Sequence, residues 1–278
     1  MNIINRNRQS EEPIGMFDSG VGGISVWKEL VKLLPSESVV YFADSGNCPY
    51  GPKPQEAVIS LCDKIVRFLL SETCKIIVVA CNTATSAAID YLRKTFAGIN
   101  FVGMEPAIKP AALNSQTGSI GILATEGTLK GRLFNETKAR FASNVNVDIR
   151  VGEGLVELIE QGKTGTPEAE ALLRKYIESM LVDRIDHLVL GCTHYPFLID
   201  NIRKIAGNEL LVLDPAPAIA IRTKQLLEEQ NLVNNTGLDA NYRFYSSGDI
   251  SVLQRMLKQN IPEMYLQKIS EITGNIKL

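Results

Sequence analysis

Cys81 and Cys192 stand in matching company. Cys81 closes the run Val78-Val79-Ala80 and is followed by Asn82-Thr83; Cys192 closes Val189-Leu190-Gly191 and is followed by Thr193-His194. In each case an apolar run that reads as a buried strand delivers a thiol to the start of a helix. There, free N–H groups and the positive dipole end lower a thiol pKa from about 8.5. A lone cysteine after a strand is more often a small buried hydrophobe. A pair at equivalent positions instead supplies two thiols to one cleft. Opposed thiols fit the inversion of a carbon centre, one thiolate taking a proton from one face while the other thiol returns one to the opposite face. An amino acid's Cα proton is less acidic than a thiol by more than about ten pK units. More than about 14 kcal/mol must then be offset by desolvation and by donors around the carboxylate.

Candidate donors are near at hand. Asp18-Ser19-Gly20 follows a strand and runs through Gly22-Gly23 into a helix beginning near Ile24. Such glycine-rich turns often bind anions through backbone N–H groups. Asp18 could pair with a substrate ammonium and Ser19 could bond a carboxylate; the plainer reading is an N-cap and a tight turn. Because the turn is not GxGxxG, a dinucleotide reading is weak. Cys48-Pro49-Tyr50-Gly51-Pro52 reads as a rigid loop that could wall a site. Asn82, Thr83, Thr193 and His194 flank the thiols, and His194 could hold or relay a proton beside Cys192. Cys62, Cys74 and His187 read as structural, while Cys48 reads either way.

The elements that must position these residues alternate between short apolar runs and segments of helical period. The runs are Ile14–Phe17, Val39–Phe42, Ile76–Ala80, Asn100–Gly103, Ile120–Leu123, Asn146–Val151, His187–Leu190 and Leu210–Leu213. Runs of this kind suit strands buried on both faces of a parallel sheet, and the alternation predicts a doubly wound α/β architecture. Thr166-Pro167-Glu168 predicts an N-cap and first turn for a helix over Glu168–Leu181.

The chain also repeats itself. Ile14–Ser19 resembles Ile120–Thr125, Val78–Thr83 resembles Val189–His194, and Glu105-Pro106-Ala107 resembles Asp214-Pro215-Ala216, in order and about 110 residues apart. This predicts two pseudo-symmetric α/β domains. The first is discontinuous, 1–107 plus 214–278, completed by a strand at Tyr242–Tyr245 and a helix at Ile250–Lys258. The second is 108–213, and residues 1–12 read as a loose extension. Ligands bind beyond the carboxyl ends of such strands, so facing ends would set Cys81 and Cys192 on opposite walls of one cleft.

Composition narrows the field. Of 278 residues, 45% are hydrophobic and 22% charged, the balance of a globular protein, and the net charge of −2 argues against a nucleic-acid binder. No apolar run reaches membrane-spanning length and no signal-peptide core opens the chain, so the cytoplasm is expected. The cysteines number five, scattered, and the histidines two; no disulfide framework and no metal-ligand spacing follow from them.

Five segments together resemble the cofactor-independent aspartate/glutamate racemase superfamily, and within it the glutamate-acting members. They are Gly15–Gly23, Phe42–Ser45, Cys48–Gly51, Ala80–Ala84 and Gly191–Pro196, and the resemblance runs from about Pro13 to Pro217. It implies an active site between two α/β domains and neither pyridoxal phosphate nor metal. It further implies a homodimer and production of D-glutamate for bacterial peptidoglycan. It makes Cys81 and Cys192 the acid/base thiols and Asp18, Ser19, Tyr50, Gly51, Asn82, Thr83, Thr193 and His194 the substrate contacts. His194 favours glutamate over aspartate, because the aspartate enzymes usually carry an acidic residue there. The chain departs from the family pattern at Val156-Glu157-Leu158-Ile159-Glu160, where Glu157 replaces a proline and Gly152-Glu153-Gly154 replaces a cysteine-proline. Glu160 is then the candidate for the family's acidic position. The rival readings are an aspartate racemase, a cysteine-nucleophile hydrolase or transferase, and a non-catalytic sensor of an acidic ligand.

Overall fold

The computed structural model describes residues 7–278. Among these residues ten strands divide into two sheets, each wholly parallel. The first contains β1 (Ile14–Asp18), β2 (Val39–Ala43), β3 (Ile76–Val79) and β4 (Phe101–Gly103). The second contains β5 (Ser119–Ala124), β6 (Asn146–Val151), β7 (His187–Gly191) and β8 (Leu211–Leu213). The chain then returns to the first sheet with β9 (Tyr242–Ser246) and β10 (Ile269–Thr273). Strand order is β10-β9-β2-β1-β3-β4 in one sheet and β6-β5-β7-β8 in the other. The pattern 2-1-3-4 therefore recurs as 6-5-7-8, with Phe17 beside Val79 in one sheet and Leu123 beside Leu190 in the other. This is the duplication expected from the sequence, carried into topology.

Burial explains which runs became central strands. β1, β2, β3, β5 and β7 are buried along their whole length, as β-branched and aromatic runs covered by helices on both faces must be. β6 and β8 differ from that expectation: both are edge strands with much of their length in contact with solvent. The alternation Asn146-Val147-Asp148-Ile149-Arg150 accounts for β6, since only one face needs to be apolar at an edge.

Three helices position the site: α1 (Ile24–Leu33), α2 (Gln55–Ser71) and α3 (Asn82–Thr95). α1 buries Trp27 completely, packed edge-on against Tyr242 at 4.9 Å between ring centres. That contact joins the first and ninth strands' segments, so the C-terminal return is part of the same core. The helix expected after Thr166 runs Pro167–Val182, and Thr166 Oγ1 accepts the Ala169 N–H at 3.3 Å.

Residues 1–6 of the expected loose extension lie outside the described residues, and within 7–12 Arg8 and Ser10 are anchored. Arg8 Nη1 donates to Gly98 O at 3.2 Å, and the Lys75 ammonium holds the Ser10 carbonyl. Lys75 is itself buried against Glu37 at 2.5 Å. An ammonium taken out of water needs this second acceptor, and Ser10 supplies it. No helix among the described residues is long and apolar enough to cross a membrane.

Candidate active site

The carboxyl ends of β3 and β7 meet. Cys81 and Cys192, 4% and 6% exposed, line one enclosed cavity together with Ser19, Tyr50, Gly51, Asn82, Thr83, Thr193 and His194. Of the ten residues expected at the site, only Asp18 is not on the wall. Pro49, Thr125 and Val156 complete the lining. The cavity is small, about 10 Å³, which is space for about one water molecule.

The thiols have unlike surroundings. Cys81 is the N-cap of α3 and its Sγ accepts the Ala84 N–H at 3.4 Å while donating to Ser19 Oγ at 3.7 Å. The helix N-terminus is thus where the sequence put it, but the lowered thiol pKa is not. Burial, then the neighbouring Asp18 carboxylate, push the Cys81 thiol well up and outweigh the Ala84 N–H. Cys192 is followed by a short 3₁₀ turn, Tyr195–Leu198, rather than by an α-helix start. Its Sγ faces His194 Nδ1 at 3.7 Å.

His194 sits in a buried chain of polar contacts, with Nε2 against Glu160 Oε1 at 2.7 Å. Burial alone would push this imidazole down. Its bonds to Cys192, Cys48 and Glu160 outweigh burial and hold it well above the ordinary histidine range. Glu160 shows the complementary effect: burial pushes its carboxyl up, but the bonds from His194 and Val21 bring it below the usual range. Glu160 therefore connects to the second thiol through His194, and neither Glu160 nor Glu157 lines the cavity itself.

The glycine-rich turn binds anions, though not free ones. Ser19 N and Gly23 N donate to the two oxygens of Asp18 at 2.7 and 2.6 Å, and Val21 N donates to Glu160 Oε1 at 2.8 Å. Asp18 is wholly buried and also accepts Thr193 Oγ1 at 3.2 Å, so its carboxylate is held by the turn, Thr193 and Cys81. Two glycines are required by close approach. A Cβ on Gly20 would lie 2.0 Å from Glu160 Oε1, and one on Gly22 would lie 2.4 Å from His194 Nδ1. Tyr50 is committed similarly: its hydroxyl donates to Asp44 at 2.5 Å, leaving the backbone and ring to form the wall.

Asn82 is the exception. Its side chain is buried on the cavity wall, and neither Oδ1 nor Nδ2 has a hydrogen-bond partner. An unpaired buried amide costs about 1–3 kcal/mol, so a polar partner delivered into this cavity would be bound strongly. Thr83 Oγ1 bonds Thr125 Oγ1 at 2.9 Å across the cleft. Thr125 was not expected here, and Cys48 read either way. Thr125 had a signal, since the repeat aligns it with Ser19; the Cys48–Glu160 contact had none, being 112 positions apart in the chain.

The site has a distinct character: two buried thiols from equivalent strand ends on one small cavity, each with its own polar neighbours. In agreement with this, the chain belongs to the Asp/Glu/Hydantoin racemase family, which it matches over residues 14–223. Among similar proteins is the glutamate racemase of Herpetosiphon aurantiacus, 45% identical over 86% of this chain and 94% of that one. Among solved structures, glutamate racemase isoform RacE1 of Bacillus anthracis superposes with a TM-score of 0.84 at 29% identity, covering 97% of this chain and 99% of its own. The glutamate racemase of Francisella tularensis in complex with D-glutamate gives 0.79 at 27% identity, covering 96% and 98%.

Proposed function

We propose that this protein is a glutamate racemase that interconverts L- and D-glutamate by proton transfer between Cα and the thiols of Cys81 and Cys192. The observation that carries the reading is the placement of two thiols, from equivalent strand ends of a duplicated fold, on one enclosed cavity. In the proposed mechanism one sulfur, as thiolate, removes the Cα proton and the other, as thiol, delivers a proton to the opposite face. Asp18 is the proton partner of Cys81; the His194–Glu160 pair is the partner of Cys192. Water exclusion strengthens each of these interactions, and Asn82, Ser19, Thr83 and Thr193 are positioned to hold the substrate's carboxylate as it gains enediolate character. No cofactor takes part in this scheme. D-glutamate so made would supply bacterial peptidoglycan.

Glutamate is favoured over aspartate by the relatives and by His194. The test is incubation of L-glutamate in deuterated water. A racemase gives D-glutamate labelled at Cα, whereas a hydrolase, a transferase or a ligand sensor gives none. Unlabelled product, or no exchange at Cα, would rule out the two-thiol route.

A further inference from the structure

We propose that Cys48, Glu160 and His194 form a binding site for Zn²⁺ that clips the cleft shut and arrests the enzyme. The cluster is a consequence of folding: its members come from the loop after β2, the end of the helix Leu155–Glu160, and the turn after β7. One ligand atom from each of the three lies within 4.8 Å of the others. Glu160 Oε1 is 3.8 Å from Cys48 Sγ and 2.7 Å from the His194 ring. Thiolate, imidazole and carboxylate are the donors Zn²⁺ prefers, at bond lengths of roughly 2.0–2.3 Å in a tetrahedron. Ligand atoms in such a tetrahedron stand roughly 3.3–3.8 Å apart. The Cys48–Glu160 separation already fits, and the Glu160–His194 contact needs to widen as its shared proton is replaced by metal. The contacts that hold Glu160 from Val21, Cys48 and His194 all fall on Oε1, so its carboxylate can turn to present the other oxygen.

Occupation has a mechanical and a chemical consequence. Cys48 belongs to the half of the molecule built on the first sheet, whereas Glu160 and His194 belong to the half built on the second. A metal bridging them fastens the two halves together over a cavity of about 10 Å³, too small to admit an amino acid unless the walls part. It also takes His194 out of proton exchange with Glu160. Binding stands without the functional reading above; only the arrest of activity rests on it.

The test uses the purified full chain. Anaerobic Co²⁺ should give a near-ultraviolet thiolate-to-cobalt band that Zn²⁺ abolishes by displacement. The band should survive in Cys81→Ala and disappear in Cys48→Ala. Zn²⁺ affinity, measured by competition with a chromophoric chelator, should fall in Cys48→Ala and Cys48→Ser by at least about tenfold. Glutamate racemisation by the unmodified chain should fall with added Zn²⁺ and return with EDTA, and Cys48→Ala should need at least about tenfold more metal for the same inhibition. A band that survives Cys48→Ala but not Cys81→Ala would place the metal on the facing thiols and overturn the proposal, as would the absence of a thiolate–cobalt band in the unmodified chain. A band behaving as expected in a chain that does not racemise glutamate would leave the metal site standing and defeat the functional reading instead.

Discussion

At the scale of residues, the facing thiols are alike in position and unlike in chemistry. Cys81 is bounded by a helix N–H, the Ser19 hydroxyl and a buried carboxyl; Cys192 is bounded by an imidazole held by Glu160. The repeat shows how this arose in sequence terms, because Asp18 aligns with Ala124, so the second half has no carboxylate at the matching place. Legible beside the thiols in the chain were Asn82, Thr83, Thr193 and His194, and legible farther off, in turns that follow strands, were Ser19, Tyr50 and Gly51. Glu160's link to His194 was not, since only folding brings them together. Replacing either sulfur tests their separate roles. Cys81→Ser and Cys192→Ser should each lower racemisation by about 10²–10⁴-fold, the usual range for a lost acid or base. Each should still eliminate a leaving group from one enantiomer of a β-substituted or N-hydroxy glutamate analogue, because elimination needs abstraction from a single face. Chiral chromatography reads both reactions, and near-native racemisation by either variant would refute the scheme.

At the scale of elements, the turn from β1 to α1 is the joint between the halves. Its N–H groups hold Asp18 and Glu160, and Ser25 Oγ donates to Thr193 O at 3.0 Å. The sequence showed a glycine-rich anion-binding turn but not whose anions, because the carboxylate from 139 positions away leaves no local trace. Gly22→Ala should therefore displace the His194 ring and cut racemisation while thermal melting changes little; unchanged activity would mean the ring has room to move. Within the second half, the segment before β5 is fastened by Asp186. Burial pushes this carboxyl up, but bonds from His187, Thr117, Ser115 and Gln116 hold it well below the usual carboxylate range. A depressed folded pKa stabilises above the unfolded value, about 4, and the contribution is lost as pH falls through the folded one. Asp186→Asn should accordingly melt below the unmodified chain at pH 7, with the gap narrowing as pH falls below about 4. A constant gap from pH 7 to 3, followed by circular dichroism, would show that its charge plays no part.

At the scale of the molecule, the duplication was legible because central strands must be apolar on both faces, and such runs are conspicuous; the order of the strands within each sheet came only from the structure. β10 was not legible: Ile269-Ser270-Glu271-Ile272-Thr273 is an edge strand carrying only two apolar residues. We propose that residues 7–107 with 214–278, and 108–213, move as two bodies about the crossovers at Glu105-Pro106 and Asp214-Pro215. The closed cavity gives the reason, since a charged amino acid cannot enter about 10 Å³. Either enantiomer of glutamate should slow hydrogen exchange chiefly around Ser19, Tyr50 and Thr193 and leave the interiors of both sheets unchanged. Protection spread evenly over the chain would argue for general stiffening instead of closure.

The unlike partners of the two sulfurs carry a thermodynamic consequence. Mirror-image amino acids have equal free energy in water, so no arrangement of the site can enrich either one at equilibrium. The ratio kcat/KM must then be the same for both enantiomers. Any advantage that a carboxyl gives one sulfur, or an imidazole the other, must reappear as a compensating difference in KM. The lopsided site can set how fast each direction runs at saturation, and which enantiomer occupies the enzyme more tightly, but never where the reaction comes to rest.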